Sequence, residues 1–402
     1  MAIEPDLKQT PEHEQGAKRS RLPGSLATLF GLRREIPEVD TFAIVTFLPV
    51  PLLILAGIFG GIAAWASLIW IGLCLFMLDE IIARPSPDAP EGSEFPAADA
   101  LSVALGGVHF LLLFLGVAAL SGFTRLEGSS WIAVLLAFGL FFGQVSNSNA
   151  HELIHRSDRR LFLLGKWIYI SLLYGHHSSA HRLVHHRFVA TPDDPNSAQL
   201  GEGYWAFLPR AWIGSFVAGY EMERGRAARL PEPDPSAPLG QRVRALLARI
   251  GPYPSYVLGG LWFVMLFGIL FGARGALAYL ALCAYAQLQI LLADYVQHYG
   301  LARARRGDGS YEPVDTRHSW DAPHPVTSLW MLNAPRHSDH HAHPGREYPA
   351  LRLGQLDARQ RPILPRSLPA MASLALIPPL WRRVMDKRVK ALGQGKSATL
   401  RL

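Results

Sequence analysis

Six long stretches of this chain carry no Lys, Arg, Asp or Glu: roughly 42–60, 62–78, 101–122, 131–149, 253–272 and 275–293. About 20 apolar residues suffice to cross the bilayer core as a helix. Inside lipid every backbone polar group must bond within its own segment, so helices are the default. Only 18% of the 402 residues are charged, against about 25% in soluble globular chains. The expected fold class is therefore all-α, an integral membrane bundle of six transmembrane helices. Only Gly60 and Gly61 separate the first two stretches, which predicts a tight helical hairpin.

The alternative is a set of buried helices in a large soluble protein, and loop charge argues against it. With the N-terminus inside, the outer loops fall near 61, 123–130 and 273–274. Of 39 Lys+Arg, only Arg125 and Arg274 lie there. That asymmetry is the positive-inside pattern. The formal charge of +7 then describes an inner surface. No aromatic-interleaved basic stretch supports nucleic-acid binding. Residues 1–40 are polar and lack the apolar core of a signal peptide. Cys74 and Cys283 both sit in apolar stretches and form no C-x-x-C pair, so neither a disulfide framework nor a cysteine-ligated cluster is expected.

One compact domain is expected over 41–385. A polar lead-in, 1–40, precedes it and a basic tail, 386–402, follows. Residues 85–99 and 230–240 are rich in proline and read as surface loops. The segment 369–383, apolar and then basic, is too short to span and is expected to lie at the membrane interface.

All histidines but His13 and His109 fall between His151 and His343. They form four groups at the inner edge of the bundle. His151 and His155 are spaced i, i+4, so they share a helix face. His181, His185 and His186 present two rings to one side and a third to the next. His298 stands alone just after the sixth stretch. His337, His340 and His341, at i, i+3 and i+4, share one face. These are nine candidate ligands. Imidazole suits Zn, Cu, Fe and Ni, and nine exceed the capacity of one ion. The H-E-x-x-H motif at His151 also fits a zinc protease with Glu152 as base, but that reading leaves the other groups unexplained. A metal transporter would place its ligands near the midplane of the spans. Carboxylates beside the ligands can orient imidazole N–H groups. Glu152, Asp193, Asp194, Asp294 and Asp339 are candidates, with Asp294 and Asp339 favoured because they lie inside the ligand motifs. His176, His177, His318, His324 and His343 are left as supporting residues.

Over about 45–385 the chain resembles the membrane-bound non-haem di-iron hydroxylases, specifically the alkane 1-monooxygenase family. The resemblance rests on His151-Glu-Leu-Ile-His155, on His185-His186-Arg-Phe-Val-Ala-Thr-Pro-Asp-Asp-Pro, on His298-Tyr-Gly-Leu and on Arg336-His337-Ser-Asp-His340-His341-Ala-His-Pro. It implies that the nine histidines hold two iron ions in a cytoplasmic histidine-rich cap. It also implies O2-dependent hydroxylation of a terminal methyl group. The chain departs from the family pattern at Ala180, Val184, Asp294, Gln297 and Arg156, none of them a ligand position. A saturated C–H bond offers no acid, base or carbonyl handle, so a redox metal must supply the oxygen.

The expected partners follow from this chemistry. They are the alkane delivered from the lipid bilayer, O2, and a separate electron carrier, a rubredoxin or ferredoxin with its NAD(P)H-dependent reductase. The sequence itself has no nucleotide fingerprint and no cysteine cluster. The expected location is the bacterial inner (cytoplasmic) membrane, multi-pass, with both termini and the active site on the cytoplasmic side. Hydroxylation of methyl-arenes of the xylene type, or desaturation or hydroxylation of fatty acyl chains, is the competing expectation.

Overall fold

The structure is a computed structural model that describes residues 39–82, 84–354 and 361–393. The expected lead-in, up to residue 38, and the end of the tail from 394 lie outside the described residues. Among the described residues the chain is helical, with only two isolated bridges and no strand.

Five helices are long and apolar enough to cross a membrane. They are α1 (Val39–Phe59), α2 (Gly61–Ile81), α3 (Ala98–Phe123), α4 (Ser130–Ile154) and a 46-residue helix, here α9 (Tyr253–His298). Between α4 and α9 come α5 (Arg159–Ser171), α6, α7 (Tyr204–Ala228) and α8 (Leu239–Ile250). The α6 stretch runs through His177–Ala180, a wide turn at His181–His185, and His186–Phe188. After α9 come α10 (Pro325–Trp330), α11 (His337–Ala342), α12 (Leu368–Ala375) and α13 (Pro378–Ala391).

Two glycine turns fold the apolar helices back on themselves. Gly60 has φ 62° and Gly61 φ 55°, a region that favours glycine. The Gly61 N–H donates to Ser130 Oγ at 2.9 Å, tying the α1–α2 turn to the start of α4. In α9, Gly272 leaves helical geometry with φ 68° and ψ −166°. Phe267 and Tyr279 then meet with ring centroids 4.9 Å apart. Twelve residues of straight helix would separate them by about 18 Å. The chain therefore doubles back at Gly272 into two arms, 253–271 and 273–298, where separate fifth and sixth stretches are expected from the sequence.

Close packing brings α5 against the end of α4, where the first histidine pair sits. Asp158 starts α5 by accepting from the N–H groups of Arg160 (2.7 Å) and Leu161 (3.0 Å). Gly165 then lies so close to α4 that a Cβ there would sit 2.7 Å from Leu153 Cβ and 2.8 Å from the Ala150 carbonyl oxygen. Backbone cannot yield as a side-chain tip can. Gly165→Ala is expected to cost about 1–3 kcal/mol of stability, read as a lower melting temperature in detergent. An unchanged melting temperature would show that α5 moves freely on α4.

The segments after α9 form a cap at the histidine end. Asp79 of α2 accepts from Val326 N (2.7 Å) and Thr327 N (3.1 Å), capping α10. Arg336, fully buried, donates to Asp88 and to the carbonyls of Ser86, Pro87 and Leu351. It thereby holds the loop between α2 and α3 against α11. The boundary expected at 385 falls inside α13. That helix continues to Ala391 because Trp381, Met385 and Val389 are buried at i, i+4 and i+8. Trp381 packs on Tyr295 and Tyr299, and Tyr299 donates to Asp386 at 2.6 Å.

Candidate metal centre

The nine histidines singled out by spacing converge in two groups. His151, His155, His181, His186 and His340 form one; His185, His298, His337 and His341 form the other. Within each group one ligand nitrogen per residue lies within 4.8 Å of all the others. The groups adjoin: the rings of His186 and His341 stack at 4.5 Å, and those of His151 and His337 are 6.4 Å apart.

Local backbone geometry decides which ring goes where. An ordinary helix would align His181 with His185 and turn His186 aside. Instead His181–His185 is a wide π turn, with the His186 N–H bonded to the His181 carbonyl. A π turn brings residues five apart onto one side. His181 and His186 therefore share a group, with Nε2 atoms 2.9 Å apart, and His185 faces the other. This reverses the pairing expected from sequence. A second π turn, Phe142–Ser146, precedes the helical turn bearing His151 and His155. In α11, His337 and His341 serve one group and His340 the other.

The arrangement fits metal binding better than hydrogen bonding. An octahedral first-row ion with bonds of about 2.1 Å places neighbouring ligand nitrogens about 3.0 Å apart. The Nε2–Nε2 separations are 2.7 Å (His151–His181), 3.1 Å (His186–His340), 3.0 Å (His298–His337) and 3.1 Å (His337–His341). Nε2 of His155 and of His185 is buried with no hydrogen-bond partner. Burial, followed by the neighbouring imidazoles, holds His155, His181, His186, His337, His340 and His341 well below the usual histidine range. Neutral rings offer the lone pair a metal needs.

Two rings are visibly oriented from behind. His185 Nδ1 donates to Asp194 Oδ2 at 2.8 Å. Burial pulls His185 down, but the Asp194 carboxylate outweighs it and raises the ring above its ordinary value. Asp194 is itself held by Ser197 Oγ (2.7 Å) and Asn196 N (3.0 Å). His298 Nδ1 donates to the His318 carbonyl at 3.3 Å. Neither carboxylate favoured from sequence hydrogen-bonds to a candidate ligand ring. Asp294 accepts from Asn196 Nδ2 at 2.6 Å and so supports the Asp194 loop. Asp339 accepts from His343, Arg346 and the Arg352 N–H. It lies two residues from His337, which turns it to the far side of α11. The signal for Asp194 was its place in the turn Pro192-Asp-Asp-Pro195, which caps the end of the His185 segment. Asp194→Asn keeps the shape but removes the charge. It is expected to weaken metal binding about 10–100-fold, measured by competition with a chelator; an unchanged affinity would mean Asp194 only shapes the loop.

Glu152 does not aim at the metal groups. It pairs with Arg156 at 3.1 Å and accepts from the Tyr348 N–H at 3.2 Å. The zinc-protease reading thus loses its base. His176 meets Ser215 at 3.3 Å and His343 meets Asp339. His177 stacks on Tyr174 and lies beside His181, with a ring centroid distance of 4.9 Å. A cleft lies between the groups. His151, His177, His181 and His337 line it together with the polar Asn147, Ser148, Asp294 and Gln297, and Ile290, Ala293, Met331 and Ala334 supply its apolar wall.

Such a constellation, at the end of a bundle of apolar helices, defines a class: a histidine-clustered membrane oxidoreductase. Comparison with known proteins narrows the class. Residues 129–375 match the model of the fatty acid desaturase family. The chain is 32% identical to alkane 1-monooxygenase 2 of Pseudomonas aeruginosa, over 81% of this chain and 83% of the relative. It is 34% identical to alkane 1-monooxygenase of Acinetobacter baylyi, over 63% of this chain and 59% of the relative. A xylene/toluene monooxygenase hydroxylase component of Pseudomonas putida is 26% identical over 59% of this chain. The chain belongs to the fatty acid desaturase family and, within it, to the alkane 1-monooxygenases; it is a monooxygenase.

Proposed function

We propose that this monooxygenase hydroxylates the terminal methyl group of alkanes at two histidine-held irons, drawing electrons from a rubredoxin. The observation that carries the reading is the shared cleft: histidines of both groups line it, and apolar residues of α9 and the segment after α10 continue it. An alkane offers nothing for a polar pocket to grip, so only shape and an apolar lining can position it. The alkane relatives support the substrate class.

The two histidine groups would hold the irons, which would supply the redox chemistry that activates O2 for attack on a C–H bond. The overall balance is alkane, O2, two electrons and two protons giving alcohol and water. The chain's own residues make the site. Groups of five and four imidazoles would hold the ions, Asp194 and the His318 carbonyl fix two of the rings, and the buried helix ends keep bulk water away. The six apolar arms are read as six crossings, with the histidine end and both termini in the cytoplasm of the bacterial inner membrane. The concentration of Lys and Arg on that side supports this orientation. An acidic carrier, a rubredoxin or ferredoxin fed by an NAD(P)H reductase, suits that basic face.

The test is O2-dependent product formation from octane, dodecane and hexadecane in iron-loaded membranes with rubredoxin, its reductase and NADH. A 1-alkanol is the expected product. If protein shown to hold two irons yields none, but oxidises xylene or an acyl thioester, the alkane reading fails and the corresponding competitor replaces it.

A further inference from the structure

We infer that α8 (Leu239–Ile250) lies in the headgroup layer on the metal-centre side and binds anionic lipid there. The inference rests on the reading that the chain is embedded in a bilayer. The helix buries none of its residues against the rest of the chain. Leu239, Val243, Leu246, Leu247 and Ile250 are exposed by 74, 44, 54, 58 and 52%. Their spacing, i, i+4, i+7, i+8 and i+11, gathers them into one stripe. In water this stripe would be an uncovered apolar face.

Two observations identify what covers it. The first is charge. Arg242 and Arg249 flank the stripe on one side and Arg244 on the other, and α8 contains no acidic residue. Arg249 is held by Glu232 at 2.6 Å and by the Leu230 carbonyl at 3.0 Å. No ion pair among the described residues engages Arg242 or Arg244. Arginines bordering an apolar stripe bury their stems and raise their guanidinium groups to a phosphate layer. The second is continuity. α8 ends at Gly251 (φ 73°), and α9, an apolar helix long enough to span, begins two residues later. The first turn of α9 sits beside the histidine segment, since Tyr256 Oη and Ser179 Oγ are 2.8 Å apart. The turn at Gly251 therefore sets α8 at that end of the bundle, where a helix lying in the interface plane would rest.

The depth expected for the apolar face is about 5–10 Å below the headgroups. The test uses full-length protein with Cys74→Ala and Cys283→Ala, reconstituted into vesicles of phosphatidylglycerol and phosphatidylcholine. An environment-sensitive dye is placed by Leu246→Cys, by Ala248→Cys on the opposite face, and by Leu261→Cys on the first arm of α9 as a control. Brominated lipids are expected to quench the dye at 246 and at 261 but not at 248. Brominated phosphatidylglycerol should quench position 246 more than brominated phosphatidylcholine does. Arg242→Gln with Arg244→Gln should remove that preference while leaving quenching at 261 unchanged. Equal quenching at 246 and 248, or none at 246 while 261 is quenched, overturns the inference and leaves the membrane reading intact. Protection of 246 that grows with protein-to-lipid ratio and resists brominated lipid would mean that a second copy covers the stripe. Equal quenching by the two lipids overturns the anionic preference. No quenching at 261 would instead remove the membrane reading itself.

Discussion

If the parent holds two irons as proposed, His337→Ala is expected to leave one per chain and to lower O2-dependent hydroxylation at least about 100-fold. His337 belongs to the group of four, and its Nε2 touches both His298 and His341 at 3.0 and 3.1 Å. Its removal leaves three imidazoles, one each from the α6 stretch, α9 and α11. His155→Ala acts on the group of five and leaves four, with His151, His181, His186 and His340 still in place. The two variants should therefore differ in metal content but share the loss of turnover. Iron per chain is measured by elemental analysis after brief dialysis against a chelator, and turnover by alcohol formed from octane. If His155→Ala loses its iron as readily as His337→Ala does, the division into five and four does not describe two separate ion sites. Full activity in either variant would remove that residue from the reading.

Metal-free protein is expected to lose stability steeply as pH falls below about 6.5. Burial, then neighbouring imidazoles, pulls His155, His181, His186, His337, His340 and His341 well below their ordinary value. Once the site opens, the same rings titrate near 6.5 and bind protons that the closed site refuses. Stability therefore rises with pH across this window and levels off above it. Outside the spanning helices, two groups act in the opposite sense. His185, raised by Asp194, favours the closed state at low pH and loses that contribution as pH rises through its raised pKa. Asp321, pushed up to about 6 by burial, weakens the fold as it ionises. Six rings outweigh these two, and each contributes up to about 1.4 kcal/mol per pH unit. The melting temperature of chelated protein in detergent should fall by on the order of 10 °C between pH 7.5 and 5.5. A flat or rising profile would show that the rings are already open to water without metal.

Much of the site was legible in the sequence because helical spacing converts directly into shared faces. The nine histidines and the apolar arms could be read from residue types alone. The division of the histidines could not, because it depends on one wide turn at His181–His185 that no residue in His-Arg-Leu-Val-His announces. The supporting carboxylate was misjudged for a related reason. Asp294 and Asp339 lie close to ligands in sequence but hydrogen-bond to none of them: Asp294 lines the cleft and holds Asn196, and Asp339 pairs with Arg346, whereas Asp194 returns to His185 through a loop. The double-backed α9 was legible from its composition, since Gly272 and Arg274 interrupt two apolar runs. The extent of α13 was marked by Trp381, Met385 and Val389, a one-face pattern running past the boundary expected at 385.

The group of five draws its rings from residues 151 to 340, and the group of four from 185 to 341. Neither can be complete until α11 has left the ribosome and docked. The apolar arms, by contrast, are all translated by residue 298. Insertion into the bilayer and capture of metal are therefore separable events in the life of the chain. Nascent protein is then expected to pass through a stage when its apolar arms are all made but neither histidine group is complete. A chain truncated after residue 330 should reproduce it, inserted yet unable to retain either ion.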